Sequence, residues 1–180
     1  MTKTRLLALS GLIIALDVVS ARFLFFYTPG AVDRISMQFL ANALAGAMFG
    51  PIWGAVCCVA ADILGMLVNS GGVTFVPLIT LACTVRGVIY GLLLHRRAPT
   101  VLRSIVAVAA VTVIVELGMM PFILSMLYGK GWWATLIAKI PVRLVTIPVY
   151  GLIIYSVSRA LSAAKLMPSA LPRKAKKTEE

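Results

Sequence analysis

The chain has 180 residues, of which 61% are hydrophobic and 13% are charged, and its net charge at neutral pH is +11. A soluble domain of this length could not cover so much apolar surface with polar groups, so the composition excludes a water-soluble globular protein. The aliphatic runs between the basic residues leave no aqueous face for nucleic acid, and nucleic-acid binding is not expected. The chain is predicted to be an all-α integral membrane protein.

Long apolar runs, separated by residues that interrupt helices, predict a bundle of six transmembrane helices. A span needs about 20 apolar residues, and fewer where neighbouring helices shield it. Gly50-Pro51 is predicted to turn the chain sharply, and Pro121, Pro141 and Pro148 predict kinks in the last two helices. The predicted helices cover residues 6–26, 35–49, 52–68, 75–94, 101–127 and 134–161.

The basic residues predict which side of the membrane each end of the bundle faces. Basic residues that flank spans collect on the cytoplasmic side, and the outer loops keep only Arg34 and Lys130. Both termini are therefore predicted to be cytoplasmic, with residues 1–165 forming the transmembrane domain and 166–180 a basic tail that contacts anionic lipid. The basic residues assigned to the cytoplasmic side are Lys3, Arg5, Arg96, Arg97, Arg103, Arg159, Lys165, Arg173, Lys174, Lys176 and Lys177.

Seven ionisable residues fall inside the predicted spans, where each is costly and is a candidate for function. At 1.5 Å per residue, Arg86 and Glu116 both lie roughly 18 Å from the outer ends of adjacent helices, which predicts a structural ion pair. Asp62 and Lys139 lie roughly 10 Å deep, at a level that water can reach. The seven residues are Asp17, Arg22, Asp62, Arg86, Glu116, Lys139 and Arg143.

After the three acids are paired, about one intramembrane cation remains, and Arg34 and Lys130 add to this surplus at the outer end. An anionic small molecule that enters from outside fits this charge distribution. Phe75 and Trp132 belong to a group of aromatic residues at the same end. They either form an interfacial belt or pack on a flat ligand.

Small side chains in the first predicted helix offer a groove for a partner. Ala8, Gly11 and Ala15 follow the spacing that lets helix backbones approach closely in a bilayer, either within the protein or between proteins.

Catalysis has no support, because the sequence contains no nucleophile–base pair and no metal-binding motif. No cofactor is expected. No phosphate-binding loop is present, so any ATP-driven step would need another protein. His95 is predicted to be solvated.

Several segments resemble the S components of energy-coupling factor (ECF) vitamin transporters, and the folate-specific members are the nearest match. The long segment from Ala43 to Gly54 (Ala-Leu-Ala-Gly-Ala-Met-Phe-Gly-Pro-Ile-Trp-Gly) is the most specific. Shorter ones are Ser20-Ala-Arg-Phe-Leu24, Arg34-Ile-Ser36, Ala61-Asp-Ile-Leu-Gly65, Arg86-Gly-Val-Ile-Tyr-Gly-Leu, Leu127-Tyr-Gly-Lys130 and Ile140-Pro-Val-Arg-Leu144.

The resemblance implies a six-helix capture subunit of a bacterial plasma membrane, which binds one vitamin near the outer face and topples to release it inside. A membrane coupling subunit and two ATPase subunits would supply the energy, and Ala8, Gly11 and Ala15 would contact the coupling subunit. The segment from Phe75 to Leu81 departs from the folate pattern because it lacks a glycine and a second aromatic residue.

Folate, or a related pterin joined to glutamate, is therefore the expected ligand. Arg22, Arg34 and Arg143 are expected to face its carboxylates, with Lys139 behind them. Phe75 and Trp132 are expected to pack on its ring. The alternatives are another vitamin or a queuosine precursor, or, in a different class, a membrane scaffold without a small-molecule ligand.

Overall fold

The computed structural model describes residues 3–27, 34–68, 76–95, 97, 100–129 and 131–163. Its main elements are long helices, together with one short ribbon of two strands that the sequence analysis did not predict. Phe75, the whole of the predicted tail and the loop residues between the described ranges lie outside this part of the chain. The elements are α1 (Lys3–Arg22), β1 (Phe25–Tyr27), β2 (Arg34–Ser36), α2 (Gln38–Val68), α3 (Pro77–Leu94), α4 (Val101–Val111), a π-helix (Thr112–Met119), α5 (Met120–Tyr128) and α6 (Trp132–Ala163).

Among the described residues, four helices are long and apolar enough to cross a membrane. This confirms the class of helical membrane protein. α1 is not one of them, although it spans 20 residues. Kinks were predicted at three prolines, and α6 runs without interruption through two of them, Pro141 and Pro148. The four candidate spans are Gln38–Val68, Pro77–Leu94, Val101–Leu127 and Thr135–Ser162.

The chain reverses its direction within α2 at Gly50-Pro51. Gly50 has a φ of 88°, which glycine adopts without steric cost. The Cys58 thiol donates to Asn42 Oδ1 at 3.2 Å, although these residues are 16 apart and would be about 24 Å apart along one straight helix. The residues before and after Gly50 therefore form two antiparallel halves of α2.

Glycine allows the two halves of α2 and the helix α3 to pack backbone against backbone. A Cβ atom on Gly54 would lie 2.9 Å from the Gly46 Cα atom, and one on Gly46 would lie 2.6 Å from the Gly91 nitrogen. A Cβ on Gly87 would lie 2.9 Å from the Ala55 Cα. Such close approach is the usual basis of helix packing in a bilayer, where lipid removes the hydrophobic drive between helices.

His95 connects the end of α3 to the reversal in α2. Pro51 has no N–H to donate to the Ala47 carbonyl four residues earlier. His95 Nδ1 lies 3.1 Å from that carbonyl oxygen, and because a carbonyl only accepts, the ring nitrogen is the donor. His95 is thus a half-buried hydrogen-bond donor and not the solvated loop residue that the sequence analysis suggested.

The segment from Val101 to Tyr128 is a single rod whose middle is a π-helix. The Met120 N–H bonds the Val115 carbonyl five residues earlier, which is the π pattern. Pro121 follows directly, so the distortion lies one turn before the proline that had predicted a kink. Glu116 lies within the π-helix.

The ribbon joins α1 to α2. Its strands are antiparallel, with Phe25 opposite Ser36 and Tyr27 opposite Arg34, and the Met37 N–H donates to the Leu24 carbonyl at 3.3 Å. The ribbon places the end of α1 beside the start of α2, at the end of the bundle opposite to the reversal at Gly50.

The three cysteines of the chain, Cys57, Cys58 and Cys83, are all buried and unbridged. This agrees with the apolar runs in which they occur.

Candidate ligand-binding cavity

A cavity of about 440 Å³ opens between the helices at the ribbon end of the bundle. The end of α1, both ends of α2, α3, the rod from Val101 to Tyr128 and α6 all contribute to its wall. Its volume falls within the range of pockets that enclose small molecules. The charged side chains that line it are Arg22, Asp62, Arg86, Glu116, Lys139 and Arg143.

The described lining of the cavity carries more positive than negative charge. Four basic and two acidic side chains face it, a surplus of two positive charges. Arg86, Lys139 and Arg143 are at most 7% exposed. Buried cations attract an anionic ligand strongly, because little water screens them.

Glu116 lies between two of these cations and bonds both. Arg86 Nη2 donates to Glu116 Oε1 at 2.7 Å, and Arg143 Nη2 donates to Glu116 Oε2 at 2.9 Å. Arg86 is on α3 and Arg143 is on α6, so one carboxylate ties both helices to the π-helix. Charge-assisted hydrogen bonds of this length are among the stronger ones in proteins.

The second acid of the cavity bonds a hydroxyl group. The Thr80 hydroxyl donates to Asp62 Oδ2 at 2.7 Å. Arg22, at the end of α1, packs over Gly65, where an added Cβ would lie 3.1 Å from its Nε. Within the described part of the chain, that Nε has no hydrogen-bond partner.

Aromatic rings form another part of the wall. Phe39 and Tyr150 stack face to face, with ring centroids 3.7 Å apart and an interplanar angle of 8°, and both line the cavity. Flat aromatic surfaces beside cations suit a ligand that has a planar ring and an acidic end.

Residues 5–158 match the family described as "ECF transporter, substrate-specific component". The chain belongs to this family. It is 30% identical over 167 residues to the folate transporter FolT of Clostridium novyi (strain NT), covering 93% of this chain and 95% of that protein. It is 28% identical over 121 residues to the FolT of Streptococcus mutans serotype c, covering 64% of each.

A solved structure described as FolT bound with folic acid has the same fold, with a TM-score of 0.78 and 29% identity, covering 94% of this chain and 98% of that one. The resemblance to ECF S components, and to the folate-specific members among them, is therefore confirmed, and membership of the family makes this chain a membrane transport component.

In this S component, three of the predicted ligand-binding residues meet at the cavity. Arg22, Lys139 and Arg143 all line it. The Arg34 backbone lies in β2, but its side chain lies outside the described residues, as does all of Phe75.

Trp132 is not among the described lining residues. It packs edge-on against its neighbour Trp133 in the first turn of α6, with ring centroids 4.6 Å apart. Its role against a ligand ring stays a prediction.

Two features of the cavity were not predicted from the sequence: the second arginine partner of Glu116 and the aromatic wall. Arg143 lies 11 residues from the start of α6, so it is roughly 17 Å from that end of the helix. This distance matches the depth of roughly 18 Å at which Arg86 and Glu116 were predicted to pair. Lys139, Arg143 and Tyr150 also share one helix face by their spacing. These signals were available in the sequence, whereas nothing marked Phe39 as the stacking partner.

The small-residue stripe of α1 lies on the outside of this S component. Ala8, Gly11 and Ala15 are all exposed, and a Cβ on Gly11 would meet no described atom within 4 Å. Leu7 and Leu12, on either side of the stripe, are 69% and 67% exposed. The stripe therefore does not pack against the described part of its own chain.

Proposed function

We propose that this chain is the capture subunit of an ECF-type importer for folate or a related pterin joined to glutamate. The observation that carries the proposal is the surplus of two buried positive charges in a cavity that also has a stacked aromatic wall. The glutamate part of folate has two carboxylates, both ionised at neutral pH, and its pterin is a flat ring. The likeness to FolT bound with folic acid supports the same ligand.

In this proposal the basic side chains face the carboxylates of the ligand. Arg22 and Arg143 line the cavity with Lys139, and Arg34 would join them from the ribbon. Each guanidinium offers up to five N–H donors in a planar fork, which suits carboxylate oxygens.

The ring of the ligand would pack on aromatic side chains. Phe39 and Tyr150 already form a flat surface in the wall. Phe75 and Trp132 are the further aromatic residues that we propose to pack on the ring at the same end of the bundle.

We further propose six membrane-crossing segments with both termini in the cytoplasm and the cavity facing outward. The reversal of α2 at Gly50 supports this count, because it divides the 31-residue helix into two antiparallel halves, each of which would form one crossing. The basic residues of the termini and of the loop before α4 support the orientation. Residues 1–165 would form the domain, and 166–180 the cytoplasmic tail.

Membership of the ECF family implies a membrane coupling subunit and two ATPase subunits as partners in transport, and the sequence contains no phosphate-binding loop of its own. The exposed stripe of Ala8, Gly11 and Ala15 is the proposed contact with the coupling subunit. Its small side chains would let a partner helix approach closely, as the glycines within α2 and α3 do inside the chain.

Titration of the purified chain with folate in mild detergent tests the proposal. We expect saturable binding of one folate per chain, measured by calorimetry or tryptophan fluorescence. A panel of other vitamins and queuosine precursors in a thermal-shift assay is the control for ligand class. Binding of another compound in place of folate would keep the capture role and change the cargo. A well-folded chain that binds none of them would favour a membrane scaffold.

A further inference from the structure

Glu116 uses both of its carboxylate oxygens on buried arginines of the cavity. One oxygen accepts from Arg86 at 2.7 Å and the other from Arg143 at 2.9 Å. All three side chains line the cavity in which the ligand is proposed to bind. Glu116 thus makes, from inside the protein, the contacts that a carboxylate of a ligand would make.

The two guanidinium groups need an anion when the cavity is empty. Each arginine side chain is 9% exposed, and an uncompensated charge buried to this degree is strongly destabilising. The Glu116 side chain is more open than its partners, at 16%, and it lines the cavity together with both arginines.

The position of Glu116 on a π-helix supports a role beyond packing. A π turn inserts a residue into the helix and is found frequently at functional sites. Here it runs from Thr112 to Met119 and carries Glu116 on the cavity side, within reach of both α3 and α6.

We propose that Glu116 is an internal anion that occupies Arg86 and Arg143 in the empty cavity and competes there with the carboxylate of the ligand. The carboxylate keeps two buried cations in place without cargo, and in doing so it lowers the affinity for anionic cargo. The identity of the cargo rests on the function proposed above, whereas the competition at the arginines does not.

The variant Glu116→Gln tests the competition, since it keeps the shape of the side chain and removes its charge. We expect it to bind folate about tenfold more tightly than the wild-type chain, the effect of roughly one charge-assisted hydrogen bond. Binding of the neutral 6-hydroxymethylpterin should not tighten. Equal or weaker folate binding by a folded Glu116→Gln variant would overturn the proposal.

Asp62→Asn is the matched control. It changes the charge of the cavity by the same unit, and the hydrogen bond that it removes is the one from Thr80. We expect a gain of about threefold at most, the general effect of charge alone. A gain as large as that of Glu116→Gln would show that Glu116 has no special place and would overturn the proposal.

A second measurement needs no folate and stays decisive if the cargo is a different molecule. We expect ligand-free Glu116→Gln to unfold at a lower temperature than the wild-type chain and to be restored by glutarate, a plain dicarboxylate, which should leave the wild type unchanged. No response of the variant to glutarate would overturn the internal-anion role. If Glu116→Gln does not fold, Glu116→Asp, too short to span both arginines, should show the same glutarate response.

Discussion

Arg86 and Arg143 reach a shared carboxylate from different helices, so each arginine is positioned by contacts outside its own helix. A side chain that is held in this way loses little conformational freedom when a ligand binds, because most of its rotamers are already excluded. The two guanidinium groups are therefore already held in place at the cavity before the ligand arrives.

Replacement of Arg143 by glutamine should weaken folate binding about tenfold to hundredfold, the usual effect of losing a hydrogen bond between charged groups. Calorimetric titration of the purified variant measures this change. Arg159→Gln is the matched control, since it makes the same replacement on the same helix at an exposed residue. Equal losses in the two variants would contradict a role for Arg143 in the cavity.

At the scale of the elements, the reversal of α2 depends on three residues that act together. Gly50 supplies the positive φ, Pro51 ends the hydrogen-bond ladder, and His95 donates to the carbonyl that the proline leaves without a partner. Gly91 makes room at the same place, because a Cβ there would overlap the backbone at Pro51. The loop end of α3 and the turn in α2 thus form one unit.

Replacement of His95 by leucine should destabilise the chain by about 1–3 kcal/mol, because it leaves the buried Ala47 carbonyl without a donor. His95→Asn should lose less, since its amide nitrogen can take the place of Nδ1. Thermal unfolding in detergent compares the two variants. If asparagine and leucine were equally harmful, loss of ring packing and not of the hydrogen bond would be the cause.

For the whole molecule, the cavity and the exposed stripe of α1 have no residues in common. The stripe of Ala8, Gly11 and Ala15 contributes no lining residue to the cavity. Capture of a ligand and docking onto a partner should therefore respond to different substitutions.

Replacement of Ala15 by leucine should leave folate binding unchanged and strongly reduce folate uptake when the coupling subunit and ATPases are co-expressed. The larger side chain would hold a partner helix away from the stripe. Ala160→Leu is the matched control, because it enlarges another exposed alanine, on α6. The stripe would lose its proposed role if Ala15→Leu supported normal uptake, or if both variants failed equally.

Sequence reasoning succeeded where one residue type or one depth decides the structure. The break at Gly50-Pro51 follows from the backbone preferences of these two residues, and the meeting of Arg86 with Glu116 follows from equal depth. It failed where contacts join distant parts of the chain: His95 lies 48 residues from the carbonyl that it bonds. The three-residue strands and the π-helix are too short or too irregular to produce a hydrophobic period.

The burial of Cys57, Cys58 and Cys83 has a practical consequence for locating the two ends of the bundle. Water-soluble thiol reagents should react slowly with a chain whose native thiols are all in the interior, so a newly introduced cysteine would dominate the labelling. Thr100 and Gly131, both exposed, lie at the two ends of the rod formed by α4, the π-helix and α5. Cysteines placed there singly would be modified from opposite sides of a sealed vesicle, which would assign the cavity to one face of the membrane.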